Sequence, residues 1–148
     1  HSYVIPTIAN SQPTNFGNCI ALLGYALNAS KLRAGDSLQP TVYWQALGMM
    51  NESYKVFVHL TDAKGNIVAQ QDAIPGAGTL PTSSWLPREV IRDTFNLTLP
   101  ADVPPGLYRI RIGFYDEATG KRIEVLDAGG RAVQDHVVLE SIIQVVGK

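Results

Sequence analysis

The sequence predicts an all-β fold, an antiparallel β-sandwich of about eight strands, immunoglobulin-like or jelly-roll in type. Three observations carry that prediction. Short stretches alternate apolar and polar residues at period two, turn signals built on Asp, Gly and Pro separate them, and no amphipathic stretch of helix length with caps occurs anywhere.

Residues Ser2 to Asn15 are polar and contain Pro, so residues 1–15 read as a linker, with His1 a cloning remnant, and residues 16–148 as one sandwich domain. The start at His1-Ser2 in place of Met leads us to expect a domain excised from a longer protein. Cys19 to Leu27 is apolar on both parities, which suits a strand covered on both sides or at a sheet corner. Asn28 to Gly35 is a connection. From Ser37 to Leu47 the alternation puts Leu38, Val42, Trp44 and Ala46 on one face, and Trp44 is a sandwich-core residue.

Lys55 to Thr61 separates Val56, Val58 and Leu60 from Phe57, His59 and Thr61. The Asp62 to Asn66 turn returns the chain as a partner strand to Gln71, because Asp bonds the backbone ahead of it and Gly takes the positive φ. Val90 to Leu99 has Ile91, Phe95, Leu97 and Leu99 inward. Asp93 shares their parity, and a carboxylate there must be paired or must accept backbone N–H groups. Pro105-Gly106-Leu107-Tyr108 has the pattern of a tyrosine corner at the head of a strand running to Tyr115. Asp116 to Gly120 is another turn, Lys121 to Leu126 the returning strand, Gly129-Gly130 a loop, and Gln134 to Val146 the last strand.

A net charge of -1 without a basic run argues against nucleic acid as a partner, and an apolar share of 45% indicates a globular domain that does not insert in a membrane. Cys19 is the single cysteine, so neither an intrachain disulfide nor a thiolate metal site is expected. No nucleophile elbow, zinc-protease helix or P-loop motif is present, and Gly76-Ala77-Gly78 lacks the third glycine of a dinucleotide loop. The expectation is therefore no catalytic residue, no metal and no cofactor.

The candidate ligand contacts lie around the irregular stretch from Ala73 to Arg92. An indole at Trp85 could stack on a sugar ring while Asp72, His59, Arg88 and Asp93 bond its hydroxyls. Alternatively, Trp85 folds inward and plugs the sandwich, and a loop of this length needs such an anchor to be ordered. A hydrolase pairing His59 or His136 with Asp72 or Asp93 is the weakest reading.

Phe16-Gly17 followed by Ile20 to Tyr25, Arg33 to Asp36, Val42 to Ala46, Val56 to Leu60, Pro81-Thr82 with Trp85, and Pro104 to Tyr108 running to Tyr115-Asp116 resemble an uncharacterised bacterial β-sandwich domain family. Its members often stand C-terminal to multi-pass, mannosyltransferase-like membrane glycosyltransferases. The resemblance implies an extracytoplasmic accessory domain acting in cis with a parent membrane enzyme, with no family catalytic residue to carry over. Together these readings lead to a non-catalytic, glycan-binding accessory domain. The alternative is a structural or dimerising sandwich using outer-face residues Tyr43, Gln45, Arg109, Arg111 and Tyr115.

Overall fold

Period-two alternation becomes paired strand wherever it is strong, and the computed structural model describes residues 1–147. Lys148, the last residue of the expected domain, lies outside the described residues. In chain order the strands are β1 (Asn10–Phe16), β2 (Ile20–Leu27), β3 (Lys31–Arg33), β4 (Ser37–Leu38), β5 (Pro40–Ala46), β6 (Tyr54–Thr61) and β7 (Ile67–Ala73). They continue with β8 (Val90–Thr94), β9 (Leu97–Thr98), β10 (Gly106–Asp116), β11 (Val125–Leu126), β12 (Ala132–Gln134) and β13 (Val137–Val146).

A six-stranded sheet ordered β12-β11-β1-β2-β5-β8 faces a five-stranded sheet ordered β3-β13-β10-β6-β7, and β4 pairs with β9 beside them. Pairing is antiparallel except between β13 and β3. The inner faces meet in a core of Leu22, Val42, Ile91, Val58, Ile110 and Leu139, organised by Phe16, Trp44 and Phe114. Those rings lie 4.6–6.0 Å apart between centroids, two of the three pairs edge to face. The tyrosine corner is present as expected, with Tyr108 Oη donating to Pro104 O at 2.6 Å.

The linker expectation fails over residues 10–15, which belong to β1. This strand has one buried apolar residue, Phe16, so its sequence carries no apolar alternation. It forms because β2 and β11 flank it and satisfy its backbone, and Pro13 sits where the register with β2 shifts and no ladder donor is needed. Upstream, Tyr3, Val4 and Ile5 are exposed, yet the segment is tethered at the far edge of the sheet by Val90 N donating to Ser2 O.

Gln12 and Tyr25 also join the two sheets. β13 bulges against β10, since Arg109 lies opposite Ile142 while Arg111 lies opposite Val138. A bulge strands backbone groups that the ladder would otherwise satisfy. The Gln12 amide donates to Val138 O at 3.0 Å and accepts from Glu140 N at 2.9 Å. Tyr25 Oη accepts from Ser141 N at 2.9 Å and lies 2.7 Å from Ser141 Oγ.

Tyr25→Phe keeps the ring and removes both of those bonds, so urea unfolding should show a loss of about 1–3 kcal/mol at unchanged slope. A loss below about 0.5 kcal/mol would mean that water replaces the phenol at the bulge.

Candidate functional site

Residues 57, 59 and 61 of β6 point to the outer side of the five-stranded sheet, yet Phe57, His59 and Thr61 are only 1%, 6% and 7% exposed. The half-buried strand expected from alternation is thus covered on both sides. Long neighbours provide the cover. Phe57 fills the space left by Gly113 on β10, where a Cβ would stand 2.5 Å from its ring. The Arg122 guanidinium lies 4.2 Å above the same ring, a cation–π contact. Arg122 arrives there by a bridge to Tyr115 across the Asp116 to Gly120 turn.

His59 stands opposite Arg111 on β10 and Gln70 on β7. Its Nδ1 is 3.4 Å from Arg111 Nη2, and its ring centroid is 5.0 Å from that of Phe57. Burial, and then the Arg111 charge, push the His59 pKa below its ordinary value, so the ring is neutral at neutral pH. Asp72 is exposed on β7 opposite Phe57 and accepts from Tyr115 Oη at 3.0 Å. At the other side of the face Asp135 receives His136 Nδ1 at 2.9 Å and Arg122 Nη1 at 3.3 Å, and the bond from His136 leads in lowering its pKa. Arg111 Nε is buried without a hydrogen-bond partner among the described residues.

The remaining sequence candidates lie elsewhere. Trp85 is 1% exposed and donates from Nε1 to Leu80 O at 2.9 Å, so its indole is not available for stacking and the plug account holds. Its loop is compact. Gly78 N bonds Ile74 O, Leu80 N bonds Pro75 O, and a 3-10 turn at Thr82–Ser84 buries Thr82, whose hydroxyl donates to Glu52 O and accepts from Tyr54 N.

Asp93 is 1% exposed, and its carboxylate accepts from Gly76 N at 2.9 Å and Trp44 Nε1 at 3.3 Å. Burial raises its pKa against the pull of those two donors. Arg88 is exposed at the start of the β8 edge with φ +69°, and its backbone bonds Ala46 O. The structure therefore brings His59 and Asp72 onto one face and places Trp85 and Asp93 in the interior and Arg88 on the other sheet. Neither His59 nor His136 hydrogen-bonds Asp72 or Asp93. Sequence reasoning put Phe57 on the His59 side of its strand but missed Arg122 and Asp135 as parts of this face, although the Asp116 to Gly120 turn was a signal that residues flanking it would meet.

Solved structures superpose on this chain to different extents. The C-terminal domain of Wzt superposes with a TM-score of 0.58 at 11% identity, over 91% of this chain and 77% of that chain. A CARDB domain from Pyrococcus furiosus, solved in complex with di-metal ions, gives a TM-score of 0.48 at 17% identity, over 99% of this chain and 97% of that chain. A family 123 glycoside hydrolase from Clostridium perfringens gives 0.47 at 10% identity, over 80% of this chain and 22% of its own. No protein-family model and no curated protein matches the chain. At 11% identity the likeness to the Wzt domain is one of fold.

Acrylamide should quench tryptophan emission poorly in the wild type and in Trp85→Phe alike. A readily quenched component that disappears in the variant would put the indole in water. Asp93 gives a pH signature of known sign. With its folded pKa raised, the native state holds the proton longer than the unfolded chain, so its contribution falls as pH rises from the ordinary carboxylate value through the folded one. The stability of the wild type relative to Asp93→Asn should therefore improve on acidification, measured by urea unfolding at several pH values. The opposite trend would show that the two donors outweigh burial.

Proposed function

We propose that this chain is a non-catalytic, extracytoplasmic accessory domain of a membrane glycosyltransferase or another surface-polysaccharide enzyme, and that it holds a glycan on the outer face of its five-stranded sheet. The observation that carries this reading is the set of planar polar groups on adjacent strands: His59, Arg111, Asp72 and Tyr115 around Phe57. Sugar hydroxyls occur in pairs that forked donors and carboxylates can bridge, and sugar C–H faces suit an aromatic plane. Groups mounted on paired strands are already ordered, so little side-chain freedom is lost when a ligand arrives. The resemblance to glycosyltransferase-attached sandwiches supports the accessory role, and the Wzt domain of like fold is likewise a C-terminal part of its protein.

A second reading has its own observation. Leu107, Val138 and Ile142 are 60%, 38% and 46% exposed on the same sheet, Val138 opposite Arg111 and Ile142 opposite Arg109, which suits contact with the parent enzyme or a second copy. The two readings meet on β10, where the arginines stand beside the apolar residues of β13.

Calorimetry with soluble glycans at millimolar concentration should detect binding. His59→Ala should weaken it about tenfold or more, the scale of losing a buried polar contact, while Arg88→Ala leaves it unchanged. Equal loss in Arg88→Ala would return the site to the loop. No heat with any glycan, together with self-association abolished by Ile142→Asp in light scattering, would replace this reading by the second.

A further inference from the structure

The charged groups of this face are not mutually satisfied. Asp135 is engaged by Arg122 and His136, and Asp72 by Tyr115. Arg109 and Arg111, both outward on β10, have no carboxylate partner among the described residues. Arg109 reaches only the Glu140 backbone oxygen at 3.4 Å, and Arg111 only the neutral His59 ring. Arg111 Nε has no acceptor among the described residues while being shut off from water. Leaving a donor of a charged group buried and unmade is costly, so packing alone does not account for an arginine at this position. The chain as a whole carries a net charge of -1, so two arginines without a carboxylate partner on one strand are not a by-product of a basic protein.

Resting on the reading of this face as a glycan surface, we infer that the glycan it takes is acidic, with a sugar carboxylate received by the Arg111 fork and a second charge met by Arg109. The two terminal Nη–H groups of a guanidinium lie in parallel, which matches the two oxygens of a carboxylate and not a lone hydroxyl, and in Arg111 it is Nε alone that is closed off. Residues i and i+2 on a strand stand roughly 7 Å apart on the same face, so a chain of acidic sugars can engage both arginines. Tyr115 and the edge of His59 flank the fork and can take neighbouring hydroxyls. The charged or titratable groups acting on His59 are Arg111, Asp72, Arg122 and His136. A carboxylate added beside Arg111 would offset the repulsion that adds to burial in lowering the His59 pKa, and so would raise it.

The test is affinity electrophoresis and calorimetry with polygalacturonate, alginate and hyaluronan, set against fully methyl-esterified polygalacturonate, dextran and dextran sulfate. At least one uronic polymer should bind, with the ester and dextran about tenfold weaker or worse, the scale of a charge-assisted pair. Arg111→Gln should lose binding to a similar extent. Arg111→Lys, which keeps charge and loses the fork, should not restore it. Arg109→Gln, at an exposed position, should weaken binding without touching the fold, and NMR should show the His59 pKa rising with the bound uronate. Dextran or the ester binding as well as the acid would overturn the acidic class and leave the glycan reading standing. Dextran sulfate binding equally, or full rescue by lysine, would reduce the contact to general polyanion attraction and overturn the fork. Failure of acidic and neutral glycans alike would remove both readings.

Discussion

The buried carboxylate of Asp93 is the constraint from which the closed edge of the sandwich follows. Its parity on β8 sends it inward, among Trp44 and the core aromatics, where an unsatisfied charge would cost several kcal/mol. It must find donors, and it finds the Trp44 indole and the Gly76 amide. The second bond fixes where the loop after β7 begins. Gly76 takes φ +69°, and a Cβ there would stand 2.8 Å from Leu80, so the tight path needs glycine. That path sets the Leu80 carbonyl in place for Trp85 Nε1, and Trp85 then seals the interior. A chain of dependence runs from a core tryptophan through one carboxylate to a second tryptophan, and it ties β7 of one sheet to β8 of the other.

This edge also bears on the candidate face, because β7 is the outermost strand of the five-stranded sheet and supplies Asp72. Were the β7–β8 loop loose, Asp72 would lie on a free edge strand. Instead the loop is anchored at Asp93, at Thr82 and at Trp85, and Asn96 N donates to the Gln71 side chain beside it. The loop that drew attention in the sequence therefore acts as a brace, and the polar groups that could meet a ligand stand on the strands it braces.

How much of this was legible depends on where alternation was strong. The inward sets on β5, β6 and β8, the Tyr108 corner and the need of Asp93 for donors all follow from parity and turn chemistry. β1 was not legible, because its pairing rests on neighbours and on the amides of Asn10 and Gln12. β3 and β12, three residues each, are too short for the alternation to repeat. In the site, His59 and Asp72 share a face because a hairpin joins their strands, which the sequence showed. Trp85 was ambiguous for a physical reason: an indole that stacks on a sugar and one that plugs a sandwich leave the same letter in the same polar loop. Arg88 read as a functional cation, whereas its distinctive property is a left-handed backbone at the entrance to β8.

The burial pattern of β6 separates stability from function on the outer face. Phe57 and its Arg122 lid are self-sufficient, since the ring is buried, the guanidinium is paired with Asp135, and Gly113 supplies the room. Two positions along the same strands, His59 and Arg111 show the reverse: a ring kept neutral by burial beside a cation, and a guanidinium with a buried idle donor. An apolar pair at these two positions would cover the sheet with less desolvation. Folding alone gives no reason for that pair, and the partner it lacks is an acceptor that forks as the guanidinium does.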